Sequence, residues 1–364
     1  MANKEIKEHE DSFTIGLLGS NHKLTDLLGK AFGSPGTESD LQFYNRLNLQ
    51  NKCIFTAVAP IGYPDKIKSL IQTCMLNQIH ILVIDAETGI TPEIGEIIVT
   101  MDMFKQYYHK IPYAVIGNIN SQNEWKLPEI KKKFKKFIAA TSLKRTPIME
   151  IKTKQDYENL KTIIAKLAKE NPPKKIDYGK VLIDHAFMVK GIGAVVLGLV
   201  QGKIEAGEMY ELLPYEGKAK KTILRSIQKH DRDFKVSYPG DRVGLALKGV
   251  KSDFIDRNTV FAEPEIYELT HEAKIELNVS SFYKPQDGTI GPENTISYHI
   301  ISNLGITPVK LVEGEQISRG KSGNVTIQLD KPLARDNDGL RGIVTYFEPF
   351  EGRLRVVGYF KQYE

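Results

Sequence analysis

The 364-residue sequence contains only two cysteines, Cys53 and Cys74, and no long apolar run. Two cysteines are too few for a disulfide scaffold or a cysteine-based zinc site, and they fit a reducing compartment. The longest strongly apolar stretch, residues 191–200, is about half of a membrane span. Residues 1–10 are charged and lack the apolar segment of a signal peptide. We therefore expect a cytoplasmic protein that does not enter a membrane and carries no metal site.

The overall charge of the chain is mild. Fifty Lys and Arg residues face 45 Asp and Glu residues, which gives a formal net charge of +5. This balance permits a nucleic-acid partner without requiring one. The hydrophobic content of 41% supports ordinary globular cores and excludes wholesale disorder. At roughly 150 residues per domain, the length predicts two or three domains.

The first half of the chain alternates strand-like and helix-like segments. Short apolar runs predict strands at 13–19, 41–45, 53–59, 80–85, 112–118 and 147–151. Periodic apolar stripes predict helices at 24–32, 65–77, 92–107, 127–140 and 154–168. This alternation is typical of crossover units around a mostly parallel, doubly wound sheet.

The pattern changes near residue 171. Pro172 and Pro173 cannot continue a helix, so residues 171–175 are predicted to be a linker. Beyond them, short β-rich runs separated by glycine turns predict barrels or sandwiches, with a second boundary near Pro264. We therefore predict three units, at residues 1–171, 172–265 and 266–364.

The β-rich half contains the most specific strings of the sequence. Residues 183–208 read IDHAFMVKGIGAVVLGLVQGKIEAGE, residues 239–244 read PGDRVG, and residues 256–262 read DRNTVFA. These strings resemble the second domain of the translational GTPases, a family that includes elongation factor Tu, elongation factor 1-alpha and SelB. Ala194 departs from the family, which usually has Thr there. The resemblance implies a multi-domain fold, α/β plus all-β, in which a P-loop-type doubly wound G domain is followed by two β-barrels.

Within this family, the chain most resembles SelB. Asp184 and His185, followed by Ala-Phe, and Arg242 after Pro-Gly-Asp match positions that line the pocket for the aminoacyl group in SelB. The resemblance implies a monomer that binds the ribosome and an aminoacyl-tRNA, either a standard or a non-standard one. The alternative for these residues is a structural Asp–Arg pair with a histidine at its rim. The chain ends soon after the second barrel, so the C-terminal extension of SelB for messenger recognition is not expected.

The phosphate-binding loop of the family is incomplete here. A P-loop requires G-x-x-x-x-G-K-[ST], in which backbone amides hold the phosphates, the lysine reaches the terminal phosphates and the hydroxyl holds magnesium. The loop at residues 19–25 retains only Gly19, Lys23 and Thr25, and His22 stands where the second glycine is needed. The alternative is an ordinary turn from a strand to a helix. The Gly-Lys-Ser sequence at 320–322 lies among strands and is interpreted as a barrel turn.

The other nucleotide motifs are also altered. By resemblance, Ala59 replaces the aspartate that holds magnesium through water, and Tyr63 replaces the histidine that positions the attacking water. Asn118 is retained from the guanine-reading motif, but Ser121 replaces its carboxylate. Gly36-Thr37 is the candidate for the switch I threonine. Because phosphoryl transfer depends on positioning and electrostatic stabilisation, these losses predict that binding of GTP and magnesium, and hydrolysis, are weakened or lost.

Basic segments offer candidate RNA contacts. Residues 131–136 read KKKFKK on a predicted helix whose Ile130, Phe134, Phe137 and Ile138 face inward. Such a run is either an RNA-binding surface or a solvated helix face. The last unit adds cations that the resemblance assigns to tRNA phosphates: Lys284, Arg319, Lys321, Arg335, Arg341, Arg353 and Arg355.

Two other functions stay open at this point. The first is a working but divergent GTPase that delivers aminoacyl-tRNA to the ribosome, which would make the protein an enzyme. The second is a non-enzymatic regulator that binds the ribosome or another factor without tRNA. Loss of turnover on mutation of Lys23 would indicate the first, and failure to protect any aminoacyl ester would indicate the second.

Overall fold

A seven-stranded sheet with five helices forms the first unit of the computed structural model, which describes residues 11–48, 50, 53–173, 176–229, 232–294 and 296–363. The strands run in the order β2-β3-β4-β1-β5-β6-β7, and β4, β1, β5, β6 and β7 are parallel. Its strands are β1 Asp11–Leu18, β2 Ser34–Glu38, β3 Gln42–Asn48, β4 Cys53–Ala59, β5 Ile79–Asp85, β6 Ile111–Gly117 and β7 Ile148–Glu150. Its helices are α1 His22–Phe32, α2 Ile67–Leu76, α3 Pro92–Tyr108, α4 Leu127–Ile138 and α5 Lys154–Glu170.

Capping residues in the sequence set the helix starts. The side chains of Asn21 and Thr91 accept hydrogen bonds from backbone N–H groups in the first turns of α1 and α3. Thr153 and Asp156 form a reciprocal capping box at the start of α5. Each cap satisfies amides that the helix itself leaves without partners, so the helices begin where short polar residues precede an apolar stripe.

The sheet is covered on both faces. Helices α2, α3 and α4 pack against one face, and helices α1 and α5 pack against the other. Both cysteines are buried and unpaired. The predicted doubly wound sheet is therefore confirmed. The edge strand β2 was not predicted, because its Ser-Pro-Gly-Thr-Glu sequence lacks the β-rich composition of a strand.

His80, on β5, makes the stability of this unit depend on pH. Its ring Nε2 donates to the Cys74 carbonyl oxygen at 3.0 Å, and burial lowers its pKa to about 3. In the unfolded chain the imidazole has a pKa of about 6.5, so the unfolded state binds more protons below that value. Stability contributed by neutral His80 is therefore present above pH 6.5 and is lost as the pH falls toward 3.

We expect His80→Gln to flatten the acid dependence of unfolding. Urea unfolding at pH 7, 6 and 5 should show the wild-type free energy falling more steeply than that of the variant, with a difference in slope that grows toward about 1.4 kcal/mol per pH unit at pH 5. The exposed His271 on the last unit provides the control, since His271→Gln should leave the slope unchanged. Equal slopes for wild type and His80→Gln would contradict the assignment.

The first barrel lies between residues 180 and 262. Six of its strands close in the order β11-β16-β8-β9-β15-β12, with β12 pairing back to β11. Its strands are β8 Lys180–Val189, β9 Gly193–Gly202, β10 Ile204–Glu205, β11 Met209–Tyr215, β12 Lys218–Lys229, β13 Arg232–Phe234, β14 Val236–Ser237, β15 Arg242–Leu247 and β16 Val260–Ala262.

The second barrel closes in the order β17-β22-β20-β19-β23-β24, with β24 pairing back to β17. Its strands are β17 Glu268–Val279, β18 Thr289–Ile290, β19 Tyr298–Ser302, β20 Gly305–Gly314, β21 Ile317–Ser318, β22 Ser322–Arg335, β23 Arg341–Thr345 and β24 Val356–Gln362. Two six-stranded barrels therefore follow the α/β unit, as predicted. The turn before β22 has Gly320 at a positive φ of 69°, which agrees with its interpretation as a barrel turn.

Candidate functional site

The first candidate site is the edge of the sheet where β1, β5 and β6 end. Gly19 follows β1 and packs tightly on β5, because a Cβ there would lie 2.9 Å from the Val83 carbonyl oxygen. The next turn leads into α1, whose first amides would face a bound phosphate in a P-loop. Here the Asn21 side chain accepts a hydrogen bond from the Leu24 N–H at 3.1 Å, so one of those amides is already satisfied.

A carboxylate lies at the same helix end. Asp85, the last residue of β5, is buried, and its Oδ2 accepts from Asn21 Nδ2 at 2.5 Å. Its Oδ1 accepts from Asn118 Nδ2 at 2.9 Å and from the Glu87 N–H at 2.8 Å. The negative charge of the Asp85 carboxylate is favourable beside the positive end of the α1 dipole, but it would repel a phosphate bound there. The retained asparagine of the guanine motif is therefore engaged within the protein.

The magnesium-binding groups are not assembled either. Lys23 is exposed, and the buried Thr25 hydroxyl donates to the His22 carbonyl oxygen at 3.1 Å. Ala59 is buried at the end of β4 and has no oxygen in its side chain to bind a cation or its water. The side chain of Thr37 lies outside the described residues. The described residues at this edge of the sheet do not fit a magnesium–nucleotide complex.

Tyr63 lies in the interface between the α/β unit and the second barrel. Its side chain is fully buried, and its hydroxyl donates to the Glu93 carbonyl oxygen at 2.8 Å. Burial raises the pKa of this hydroxyl, so it stays protonated. The Arg355 guanidinium lies 5.8 Å from the centre of the Tyr63 ring. A residue at a switch position of the family is therefore a structural part of an interface here.

The same interface contains a buried ion pair. Arg355 Nη2 donates to Glu96 Oε2 at 2.7 Å, and the Arg355 backbone N–H donates to Glu96 Oε1 at 2.7 Å. The side chains of Arg355 and Glu96 are only 2% and 1% exposed. Arg355 was predicted among the tRNA-binding cations; that prediction is wrong for this residue, because its guanidinium is enclosed and paired.

Arg257 joins the first barrel to the α/β unit. Its Nη1 donates to Asp40 Oδ1 at 2.7 Å and to Gln72 Oε1 at 2.8 Å. Burial acts to raise the pKa of Asp40, but the charge and hydrogen bond of Arg257 outweigh it and lower that pKa. Gln72 in turn donates through Nε2 to the Leu304 carbonyl oxygen of the second barrel at 2.8 Å. One hydrogen-bonded chain thus connects all three units.

A cleft of about 610 Å³ opens beside this chain, at the junction of the three units. The α/β unit contributes Lys66 and Lys68, and the second barrel contributes His299 and Phe347. The rings of His299 and Phe347 are stacked, 4.2 Å apart and nearly parallel. Asp40 and Asp256 also line the cleft, and Lys68 Nζ lies 3.8 Å from Asp40 Oδ2. The cleft therefore combines side chains of both charges with a flat aromatic surface, which suits stacking of a base.

The three residues of the predicted aminoacyl pocket are arranged unequally. Asp184 lies at a bulge in β8 and forms a two-pronged ion pair with Arg242, with one arm at 2.9 Å from Nη2 to Oδ2. Both side chains are buried, and the Arg242 guanidinium stacks on the Phe43 ring of the α/β unit at 3.8 Å. His185 is exposed, beside the Phe187 ring. The structure brings Asp184 and Arg242 together and leaves His185 on the outside.

Sequence reasoning missed Asp85 at the edge of the sheet and the carboxylates that join the units. Asp85 had a detectable signal, since a carboxylate ends a buried strand that leads to the ligand-binding edge of the sheet. Glu96 and Asp40 had no such signal, because their partners Arg355 and Arg257 lie more than 200 residues away.

Among the described residues, no group of His, Cys, Asp and Glu side chains is arranged to hold a metal ion. In the same part of the chain, no helix is long and apolar enough to span a membrane.

Comparison with known proteins gives consistent matches along the chain. No family model matches it. An uncharacterized protein of Methanocaldococcus jannaschii is 30% identical over 330 residues, which cover 90% of this chain and 92% of that protein. The selenocysteine-specific elongation factor of the same organism is 30% identical over 217 residues, 58% of this chain and 45% of the relative. That of Desulfomicrobium baculatum is 22% identical over 295 residues, 80% of this chain and again 45% of the relative. The chain thus matches less than half the length of these two factors.

Solved structures show the same fold. Elongation factor SelB from Methanococcus maripaludis, in complex with the GTP analogue GppNHp, has a TM-score of 0.81 at 22% identity, covering 98% of this chain and 80% of SelB. A bacterial selenocysteine-specific elongation factor has a TM-score of 0.77 at 19% identity, covering 97% of this chain and 58% of the other. The domain order and these matches lead to one conclusion: the chain shares the fold of the SelB elongation factors and is similar in sequence to part of the selenocysteine-specific elongation factors.

Proposed function

We propose that this protein is a SelB-like translation factor that binds an aminoacyl-tRNA through its barrels, while binding and hydrolysis of GTP are weakened or lost. The observation that carries the proposal is the contrast between its two candidate sites. At the nucleotide edge, the Asp85 carboxylate is hydrogen-bonded to Asn21 and Asn118, whereas the three-unit cleft is open and presents Lys66 and an aromatic surface. The predicted boundaries at 171/172 and 265/266 are part of this proposal.

The fixed interface supports a factor that does not depend on a nucleotide switch. Tyr63 corresponds, by resemblance, to a switch position of the family, and Asp40 lies just after Gly36-Thr37, the candidate for switch I. Asp40 is held by Arg257 and Tyr63 lies beside the buried Glu96–Arg355 pair. A charged pair that is broken inside a protein leaves an unpaired buried charge, which costs several kcal/mol. The barrels are therefore expected to stay docked without GTP.

The open cleft suits the end of an RNA helix. Lys66 supplies positive charge at its wall, Lys68 adds a charge that Asp40 partly neutralises, and the stacked His299–Phe347 pair supplies a surface for an unpaired base. Most contacts between proteins and structured RNA are made to phosphates and shape, so binding should weaken steeply with added salt.

The outer face of the first barrel suits the aminoacyl end. His185 and Phe187 lie on β8 opposite Leu197 and Val195 of β9, and Phe187 is 36% exposed. Ala246 of β15 pairs with Val195, so the surface of the sheet beside His185 and Phe187 is apolar and carries a small side chain at this position. We propose that His185 contacts the ester-linked group, while the Asp184–Arg242 pair fixes the strand behind it and meets the ligand only at its edge.

Protection of the aminoacyl ester from hydrolysis tests this function. The full chain is mixed with a set of aminoacyl-tRNAs, with and without GTP; selenocysteinyl-tRNA comes first, because two relatives are named for selenocysteine. We expect slower hydrolysis of at least one ester, equally in both conditions. His185→Ala should reduce protection about tenfold, corresponding to one lost contact of about 1.4 kcal/mol.

His271→Ala is the matched control, because His271 is an exposed histidine on the second barrel. It should leave protection unchanged. Lys66→Gln with Lys68→Gln should weaken protection and its dependence on salt. Protection of no ester, together with co-sedimentation with ribosomes, would contradict tRNA binding and favour the regulator. Protection that requires GTP would favour a working GTPase.

A further inference from the structure

Helix α4 and its flanking turns carry an unusual concentration of positive charge. Between Glu124 and Lys152 there are nine Lys and Arg residues and three Glu residues, a net charge of +6 for this segment, whereas the whole chain has +5. The rest of the molecule is thus almost neutral. A charge asymmetry of this size on one segment is the electrostatic footprint of a polyanion-binding surface.

All three acids of the segment are already paired. Glu129 binds Lys133 at 2.8 Å, Glu150 binds Lys131 at 2.5 Å, and Glu124 binds Lys152 at 2.5 Å. Lys126 is also paired, with Glu87 outside the segment at 2.8 Å, so five of the nine cations are exposed and have no acidic partner among the described residues. They are Lys132, Lys135, Lys136, Lys144 and Arg145, which we call the α4 basic face.

The spacing of the helical lysines has a cost. Lys132, Lys135 and Lys136 are related by three and four residues, so they are neighbours on the helix surface. Like charges at this spacing repel each other and destabilise a helix. Lys135 and Lys136 recover part of this cost at the negative end of the helix dipole. A bound polyanion would relieve the remainder.

The chemistry of the face favours RNA over an acidic protein segment. The apolar residues Ile130, Phe134 and Ile138 are buried in the core of the α/β unit, so the helix exposes no apolar groove for a peptide. Phe137, which was predicted to face inward, is instead 42% exposed beside the lysines. Lysines are compact charges that suit phosphates. We propose that the α4 basic face is a second RNA-binding surface, separate from the barrels, that contacts the phosphate backbone of double-helical RNA.

Two variants of the same helix test the proposal in the full chain. The first replaces Lys132, Lys135 and Lys136 by Gln; the second replaces the paired Lys131 and Lys133 by Gln. The probe is a fluorescent 20-base-pair RNA duplex, titrated at several salt concentrations. Each neutralised phosphate contributes about 0.9 to the slope of log affinity against log salt concentration. The first variant should therefore lower the magnitude of this slope by about 2–3. Its affinity at low salt should fall by at least tenfold. The second should lower the slope by less than one.

The remaining outcomes separate RNA binding from other causes. The melting temperature of the first variant should equal or exceed that of the wild type, since repulsion is removed. An equal loss of RNA affinity in both variants, or no loss of RNA affinity in the first variant, would overturn the proposal. Binding of poly-glutamate as tightly as RNA, lost in the first variant, would assign the face to an acidic protein and overturn it too. Failure of ester protection leaves this test intact, because the duplex carries no aminoacyl group.

Discussion

Replacing Arg355 by Met is expected to lower the free energy of unfolding by about 3–5 kcal/mol. The substitution removes both guanidinium hydrogen bonds to the buried Glu96 carboxylate, together with its counter-ion. A desolvated charge without a counter-ion is costly, and this cost is a large fraction of the stability of a typical domain. Urea unfolding at neutral pH measures the effect.

A control variant lies in the second barrel, and a rescue variant lies in the same interface as Arg355. Arg335→Met removes an ion pair with Glu268 whose side chains are 30% and 67% exposed, so it should cost no more than about 1 kcal/mol. The double variant Glu96→Met with Arg355→Met should recover most of the lost stability, because both charges are gone. A loss below about 1 kcal/mol for Arg355→Met alone would contradict an enclosed pair.

GTP with magnesium is expected to leave the melting temperature unchanged at 1 mM nucleotide. A ligand at a thousand times its Kd stabilises the folded state by about 4 kcal/mol, whereas a ligand at or below its Kd adds at most about 0.4 kcal/mol. The Asp85 carboxylate, the capped start of α1 and the absence of a magnesium ligand at Ala59 predict the second case. Thermal unfolding with and without nucleotide checks it.

Titration with a fluorescent guanine nucleotide gives an independent measurement. Micromolar or tighter affinity would contradict the proposal. Lys23→Ala should change neither result, because Lys23 is exposed and the groups around it do not form a phosphate site. Turnover of GTP that disappears in Lys23→Ala would instead identify a working enzyme.

Much of the fold follows from local patterns. Helix α3 begins at Pro92 and β4 spans Cys53–Ala59, as the apolar periodicity predicts. These elements are predictable because their apolar spacing, caps and prolines act within a few residues. Strand β2 escaped prediction, since it is formed by pairing with β3 rather than by its own propensity.

The candidate site was predictable in part. Loss of the family residues at Ala59, Tyr63 and Ser121 is visible in the sequence once the resemblance is recognised. The new roles of those positions are not visible. Tyr63 became an interface residue because it packs beside Arg355, and Asn118 is engaged because β5 ends in Asp85.

The sequence alone determined the order of an α/β unit and two barrels, and it determined which nucleotide-binding side chains are missing. Only the tertiary structure decided where the charges of Glu96, Asp40 and Asp184 are neutralised. The physical reason is distance along the chain. A helix cap or an apolar stripe is encoded by residues that are close in the sequence, but a buried ion pair depends on how distant units dock. Two arginines that look alike in the sequence can therefore end in a buried interface or in water.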